Sequence, residues 1–311
     1  VTGVLDQAAV VAPTPVRSAR GLRRPVMAVA AVVLLLVLWE LVKVLVPENG
    51  VSVGGVRVLP RTDDGALPHV WSVLAALTEP EVNVAGARSV GAAIVSSGLF
   101  TFGLAVLGFV LGAVVGLVLA VAMQRFVWVE RSVLPYVIVS QTVPLIALAP
   151  LVAGWGGKIA IGGYAWQPWT SITVIASYLA FFPVAVGMLR GLRAPDRASL
   201  DLMHSYAAGW WTTLLRLRLP ASVPHLIPSL RLAAAAAVIG AVVAEISTGT
   251  TGGIGRQIIV FSQQATGDAS RLYAAVLGAA VLGLVVSGLV ALLDIALGRY
   301  AGRTPARRAD S

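Results

Sequence analysis

From Leu99 to Met123 the chain reads LFTFGLAVLGFVLGAVVGLVLAVAM, without one charged residue. A helix crosses ~30 Å of hydrocarbon with about 20 apolar residues, so this run predicts a transmembrane helix over 97–123. Similar runs at 26–46, 132–155, 168–189, 223–247 and 272–297 bring the expected spans to six. Composition agrees: the 311 residues are 58% hydrophobic and 12% charged, with a mean hydropathy of +0.87. One water-soluble core cannot hide that much apolar surface. The expected fold class is all-α, a polytopic membrane protein with six transmembrane helices.

The first run, PVMAVAAVVLLLVLWELVKVLV, follows Arg17, Arg20, Arg23 and Arg24 in the manner of a secretory signal. It is too long for a signal core, and its only AVA, Ala28 to Ala30, lies at its start, so an uncleaved anchor helix is expected. Cations are retained on the cytoplasmic side. With both termini inside, the inner segments carry Arg125, Arg131, Arg190, Arg193, Arg197, Arg216, Arg218 and Arg299 besides both arginine-bearing tails, 1–25 and 300–311. The outer loop 47–88 instead holds Glu48, Asp63, Asp64, Glu79 and Glu81, and one short helix is expected in it from His69 to Leu77. The formal net charge of +9 therefore reads as topology and contact with the lipid bilayer. No nucleic acid partner is expected.

The chain has no cysteine, and His69, His204 and His225 show no ligand spacing, so no metal site is expected. Gly157-Lys158 has Val152 where a phosphate loop needs its first glycine, so this chain is not expected to bind ATP that way or to be an enzyme.

Between the fourth and fifth runs stands DLMHSYAAGWWTTLLRLRLPASVP, beginning at Asp201. Pro195 and Asp196 read as a helix start. Met203, Ala207, Trp210, Leu214 and Leu217 then fall on one face of a helix, or of two helices broken near Gly209. Leu219-Pro220, Pro224 and Pro228 read as its stop. Such an amphipathic inner element needs a cover for its apolar face, and Trp210 and Trp211 are expected to pack or to anchor at the lipid surface.

The same stretch resembles the cytoplasmic signature of permease subunits of bacterial binding-protein-dependent ABC importers, Glu-Ala-Ala, three residues, Gly, nine residues, Ile-x-Leu-Pro. Asp201, Leu202 and Met203 stand at the first three positions, Ala207 at the glycine, and Leu217, Leu219 and Pro220 at the last element. Where Ala207 replaces glycine, Gly209 is the expected place for the bend. The second run, with Gly108, Gly112 and Gly116 at every fourth position, is similar to the first conserved helix of that family; such a stripe lets helices approach closely. VPLIALAPLVAGWGG and LRLAAAAAVIGAVVAEISTGTTGGIG resemble its nitrate, sulfonate, taurine and vitamin-precursor branch.

The resemblance, from Ser89 to Arg299, implies a type I importer fold over 89–299, preceded by the 26–46 helix. It implies a multi-pass permease of the bacterial inner membrane, forming a homodimer or a pair with a similar subunit. A cytoplasmic ATP-binding subunit pair would use ATP and Mg, this chain binding no cofactor, and would dock on coupling helices at 195–220. A substrate-binding protein would deliver the solute from outside. The implied solute is a sulfonate- or nitrate-like anion, or a vitamin precursor such as a pyrimidine or flavin. The alternative is a self-sufficient secondary transporter or channel, which commonly shows repeated halves or several intramembrane charges. Polar or helix-breaking residues at membrane depth tend to line cavities. Those marked on that ground are Ser140, Gln141, Thr142 and Pro144, then Ser177, Tyr178 and Pro183, then Glu245, Ser247 and Thr248.

Overall fold

The computed structural model describes residues 20–301 apart from 54, 55, 60, 83, 85 and 162. Most of both expected tails lies outside these. The chain divides into two compact units, Val1–Asp63 and Asp64–Ser311.

In the first unit, helix α1 (Arg20–Leu45) covers the first apolar run, and β1 (Val51–Val53) and β2 (Val56–Leu59) make a short antiparallel hairpin. Lys43 Nζ donates to the Thr62 carbonyl at 2.8 Å and Thr62 Oγ1 donates to that of Val46 at 2.9 Å. Both bonds return the chain to the end of α1, and the second satisfies a carbonyl that a helix C-terminus leaves open.

The second unit begins with α2 (Val70–Ala76), within the expected His69–Leu77. Next comes α3 (Val90–Arg125), opened by Ser89, whose side chain accepts from Ala92 N at 3.2 Å. Then follow α4 (Val127–Ser140), α5 (Leu145–Gly156), a two-residue hairpin β3 (Ala160–Ile161) and β4 (Tyr164–Ala165), and α6 (Pro168–Leu192). The rest is α7 (Arg197–Ser205), α8 (Trp210–Thr213), a π turn over Leu214–Arg218, α9 (Leu219–Thr248), α10 (Ile254–Gln264) and α11 (Ser270–Ala301). The fold is mostly helical.

The core is α3, α6 and α9, and it is built from small residues. Ala176, Ala180 and Ala185 of α6 and Ala233, Ala241 and Ala244 of α9 are fully buried, while Val95 and Val118 of α3, Leu232 of α9 and Leu284 of α11 face outward. This arrangement suits a lipid solvent, where close backbone packing rather than water exclusion joins helices. A Cβ on Gly112 would stand 2.6 Å from the carbonyl oxygen of Ser177, and one on Gly116 2.6 Å from that of Phe181. The glycine stripe is thus the surface on which α3 meets α6.

Four described helical stretches are long and apolar enough to cross a membrane: Val90–Arg125, Pro168–Leu192, Trp210–Thr248 and Ser270–Leu292. The span expected over 132–155 is not one straight helix. Its halves, α4 and α5, are bent by 105° and make a fifth span only if taken together. The cause is local: Pro144 has no N–H to donate and pushes the preceding residue out of helical geometry, so the chain turns at Gln141–Val143. The remaining expected span, 26–46, falls on α1 and lies outside this count.

Leu219-Pro220 does not stop the inner helix either. Helix continues from Trp210 to Thr248: the π turn over Leu214–Arg218 takes up the backbone bonding that Pro220, with no N–H, cannot make, and Pro224 and Pro228 lie inside α9.

Candidate functional site

The inner segment is built outward from its cap. Asp196 accepts from Ser199 N at 2.9 Å and opens α7; this bond, from the side chain and backbone of Ser199, holds its carboxyl below the usual aspartate value. At the other end, Ala208 N donates to the Met203 carbonyl at 3.0 Å and Ala207 N to that of His204 at 2.9 Å. Those two bonds are a Schellman cap, whose left-handed position usually carries glycine. Here it is Ala207, at φ +50°, the one non-glycine residue with positive φ among those described. The bend therefore falls on Ala207 itself and not on Gly209, whose φ is −66°.

The cap divides the segment into two kinds of surface. No residue of α7 is buried: Asp201 is exposed, Leu202 is 56% exposed, and the following Tyr206 77%. Met203 is half-buried. Beyond the cap the chain turns inward. Leu214 is buried, with Trp210 and Leu219 packed beside it against Met123, Met188 and Leu192; Leu217 is half-buried and Pro220 exposed. Trp211, edge-on to Trp210 with ring centroids 4.6 Å apart, stays 67% exposed, so one tryptophan packs and the other does not. Arg218 donates to the last carbonyl of α6, that of Leu192, at 3.0 Å, and Arg193 pairs with Glu130 of α4. Arg218 thereby ties the α8–α9 rod to the bundle, while α7 projects from it.

The marked polar residues form two separate groups. At the α4–α5 break, Ser140 and Thr142 donate to the carbonyls of Val137 and Val139, each at 2.8 Å, and Tyr178 Oη donates to the carbonyl of Ser140. Gln141 Nε2 is buried there without a partner among the described residues. Ser177, beside Tyr178, turns its backbone toward Gly108 and Gly112. Among the described residues no hydrogen bond joins this group to the second, at the far end of α9.

There Glu245 is completely buried. Its carboxylate accepts from Thr101 Oγ1 at 2.8 Å and from Gly255 N at 2.9 Å, and Thr101 Oγ1 accepts from Ile254 N at 2.9 Å. The first two amides of α10, which a helix N-terminus leaves without partners, are thus satisfied by side chains of α9 and α3. A carboxylate at that terminus also meets the positive end of the helix dipole. The intervening glycines make the approach feasible: a Cβ on Gly255 would meet Val242 O at 2.7 Å, and Gly249 and Gly252 turn the chain at φ +64° and +104°. Ser247 Oγ is buried without a partner among the described residues, and Thr248 Oγ1 donates to the Ala244 carbonyl at 2.7 Å.

Helix α10 and its holders were not anticipated from sequence. Ile254, Ile258 and Phe261 recur at helical spacing, with Phe261 buried, which was the available signal. Around α10, Gln257 Nε2 donates to Glu81 Oε1 at 3.1 Å, and Arg88 Nε to Glu81 Oε2 at 2.5 Å. Foremost the Arg88 bond, and then Gln257, keep the Glu81 carboxyl below the usual glutamate value against the effect of burial.

Comparison with known proteins finds the family described as binding-protein-dependent transport system inner membrane component, matching residues 108–299. The chain is 34% identical over 139 residues to the formylaminopyrimidine transport permease protein ThiX of Halalkalibacterium halodurans, covering 45% of this chain and 52% of that protein. It is 28% identical over 125 residues to the riboflavin transport system permease protein RibX of Chloroflexus aurantiacus, covering 40% and 43%. With the putative aliphatic sulfonates transport permease protein SsuC of Bacillus subtilis it shares 29% over 177 residues, covering 56% and 60%. The match thus spans about half the length of these relatives. A crystal structure of an amino acid ABC transporter with histidines has the same fold, with a TM-score of 0.51 and 18% identity over 65% of this chain and 93% of that one.

Proposed function

Because the chain belongs to the family of binding-protein-dependent transport system inner membrane components, we propose that it is the permease subunit of an ATP-driven importer and not an ATPase itself. The observation that carries this reading is the projecting α7 on a segment with the family's spacing, from Asp201 through Ala207 to Pro220. Asp201, Leu202 and Met203 face a cytoplasmic ATP-binding subunit, one of a pair that consumes ATP with Mg. Ala207 and Gly209 shape the turn. Leu217, Leu219 and Pro220 hand the motion to α9.

The continuous stretch from Trp210 to Thr248, 39 residues long, supports a mechanical reading. At 1.5 Å per residue it extends roughly 58 Å, from the α7 end to the Glu245 clamp. Closure of the ATPase pair displaces α7, and only contacts that differ between the two ATPase states bias the permease between its own. Tyr178 and the Ser140–Thr142 break line the route of the solute, with Ser177, Ser247 and Thr248 above and below. Glu245 holds α10 in place for an extracytoplasmic substrate-binding protein. A second copy of the chain completes the pathway in the cell membrane, with both termini cytoplasmic.

The solute is a small heteroaromatic vitamin precursor. This is supported by the matches to ThiX and RibX; the SsuC match makes a sulfonate the second choice. Proteoliposomes holding the chain with its ATPase and binding protein are expected to take up labelled pyrimidine only with internal ATP. ATP-independent uptake by the chain alone would contradict the proposal.

A further inference from the structure

Where the end of α3 meets the start of α8, a groove of about 550 Å³ opens on the side of the bundle. Leu117, Val118, Val121 and Ala122, the last turns of α3, make its apolar wall. At its end stands Arg125, exposed, with its guanidinium carbon 5.1 Å from the centre of the Trp210 ring and 5.6 Å from that of Phe126. The indole N–H of Trp210 is buried and finds no acceptor among the described residues. No carboxylate lines the groove.

These features ask for one kind of occupant. α3 crosses the membrane, so its last turns lie where hydrocarbon gives way to headgroups, and the groove changes there from aliphatic to cationic and aromatic. A guanidinium stacked on rings keeps its N–H fork free for a phosphate. We propose that the groove is a binding site for an anionic phospholipid, with an acyl chain along Leu117–Val121 and the phosphate at the exposed Arg125 guanidinium. A zwitterionic lipid offers the same phosphate but brings a cation against Arg125. The bound lipid braces Trp210, the first residue of the rod that carries motion from α7.

The test is native mass spectrometry of the full chain with phosphatidylglycerol and phosphatidylcholine supplied in equal amounts. The parent should retain phosphatidylglycerol in about fivefold excess, the ratio one cation beside an anionic lipid gives, and Arg125→Gln should fall to parity. As a second readout on the parent fold, phosphatidylglycerol brominated in its acyl chains should quench tryptophan fluorescence, and Trp211→Phe should lose part of that quenching. Equal retention by the parent, an unchanged preference in Arg125→Gln, or displacement by inorganic phosphate alone would overturn the assignment. So would loss of the quenching on dimer formation, which would give the groove to a second copy.

Discussion

Thr101 and Glu245, 144 residues apart, meet through a buried hydrogen bond of 2.8 Å that fixes three helices at one point. Glu245→Ala would orphan the Gly255 amide and leave a cavity, whereas the Thr101 hydroxyl can fall back on the Ser97 carbonyl, 3.1 Å away. The expected loss is about 2–4 kcal/mol, read as a lowered unfolding midpoint in detergent. Glu245→Gln keeps one acceptor and should lose less than half of that. Parental stability in Glu245→Ala would remove the clamp from the account.

The α3–α6 seam predicts a steeper failure. A Cβ on Gly112 would approach Ser177 O to 2.6 Å and Ala180 Cβ to 2.8 Å, with backbone on one side and a buried side chain on the other. Gly112→Val should cost about 3 kcal/mol or more and reduce the folded yield in membranes. Gly103, where an added Cβ would meet nothing within 4 Å among the described residues, should accept alanine without loss.

Ala207 carries the opposite sign. At φ +50° an L side chain is strained by roughly 1–2 kcal/mol, so Ala207→Gly should strengthen the cap of α7. Hydrogen exchange of the α7 amides should slow in this variant. Faster exchange would mean that the gain in unfolded-chain entropy exceeds the relief.

A pH dependence follows from Glu81. Its folded pKa lies below the ordinary 4.5, so the ion pair's contribution is fully present above 4.5 and is lost as pH falls through the lower folded value. At this partly exposed site it amounts to about 0.5 kcal/mol. Acid titration of the unfolding midpoint should therefore show a shallower fall below pH 4.5 in Glu81→Gln than in the parent.

The apolar length of α3, α6, α9 and α11 made them legible in the sequence, because a span must be long and uncharged whatever it packs against. The inner segment was legible through its cap and periodicity, but the bend expected at Gly209 falls on Ala207, because the Schellman bonds and not the residue type fix which position is left-handed. Three things were not. The bend at Gln141–Val143 interrupts a run whose hydropathy stays high on both sides. Pro220 reads as a stop, yet the π turn before it absorbs the missing N–H and the helix continues. Glu245 was marked as polar and intramembrane, but its partner Thr101 belongs to another span, and the α10 amides it caps come from a glycine-rich stretch that resembles a loop. Partners that distant are fixed by packing, not by local pattern.

The central claim is that α7 docks on an ATPase. The most direct measurement is co-purification of the ATP-binding subunit with the Asp201→Lys chain beside the parent, with surface labelling to establish equal membrane insertion. Reversing one charge at a partly desolvated interface should cost about 2–5 kcal/mol and lower the affinity more than tenfold, and solute uptake should fall with it. A complex and an uptake rate equal to the parent's would contradict the account and leave α7 as a helix on the lipid surface.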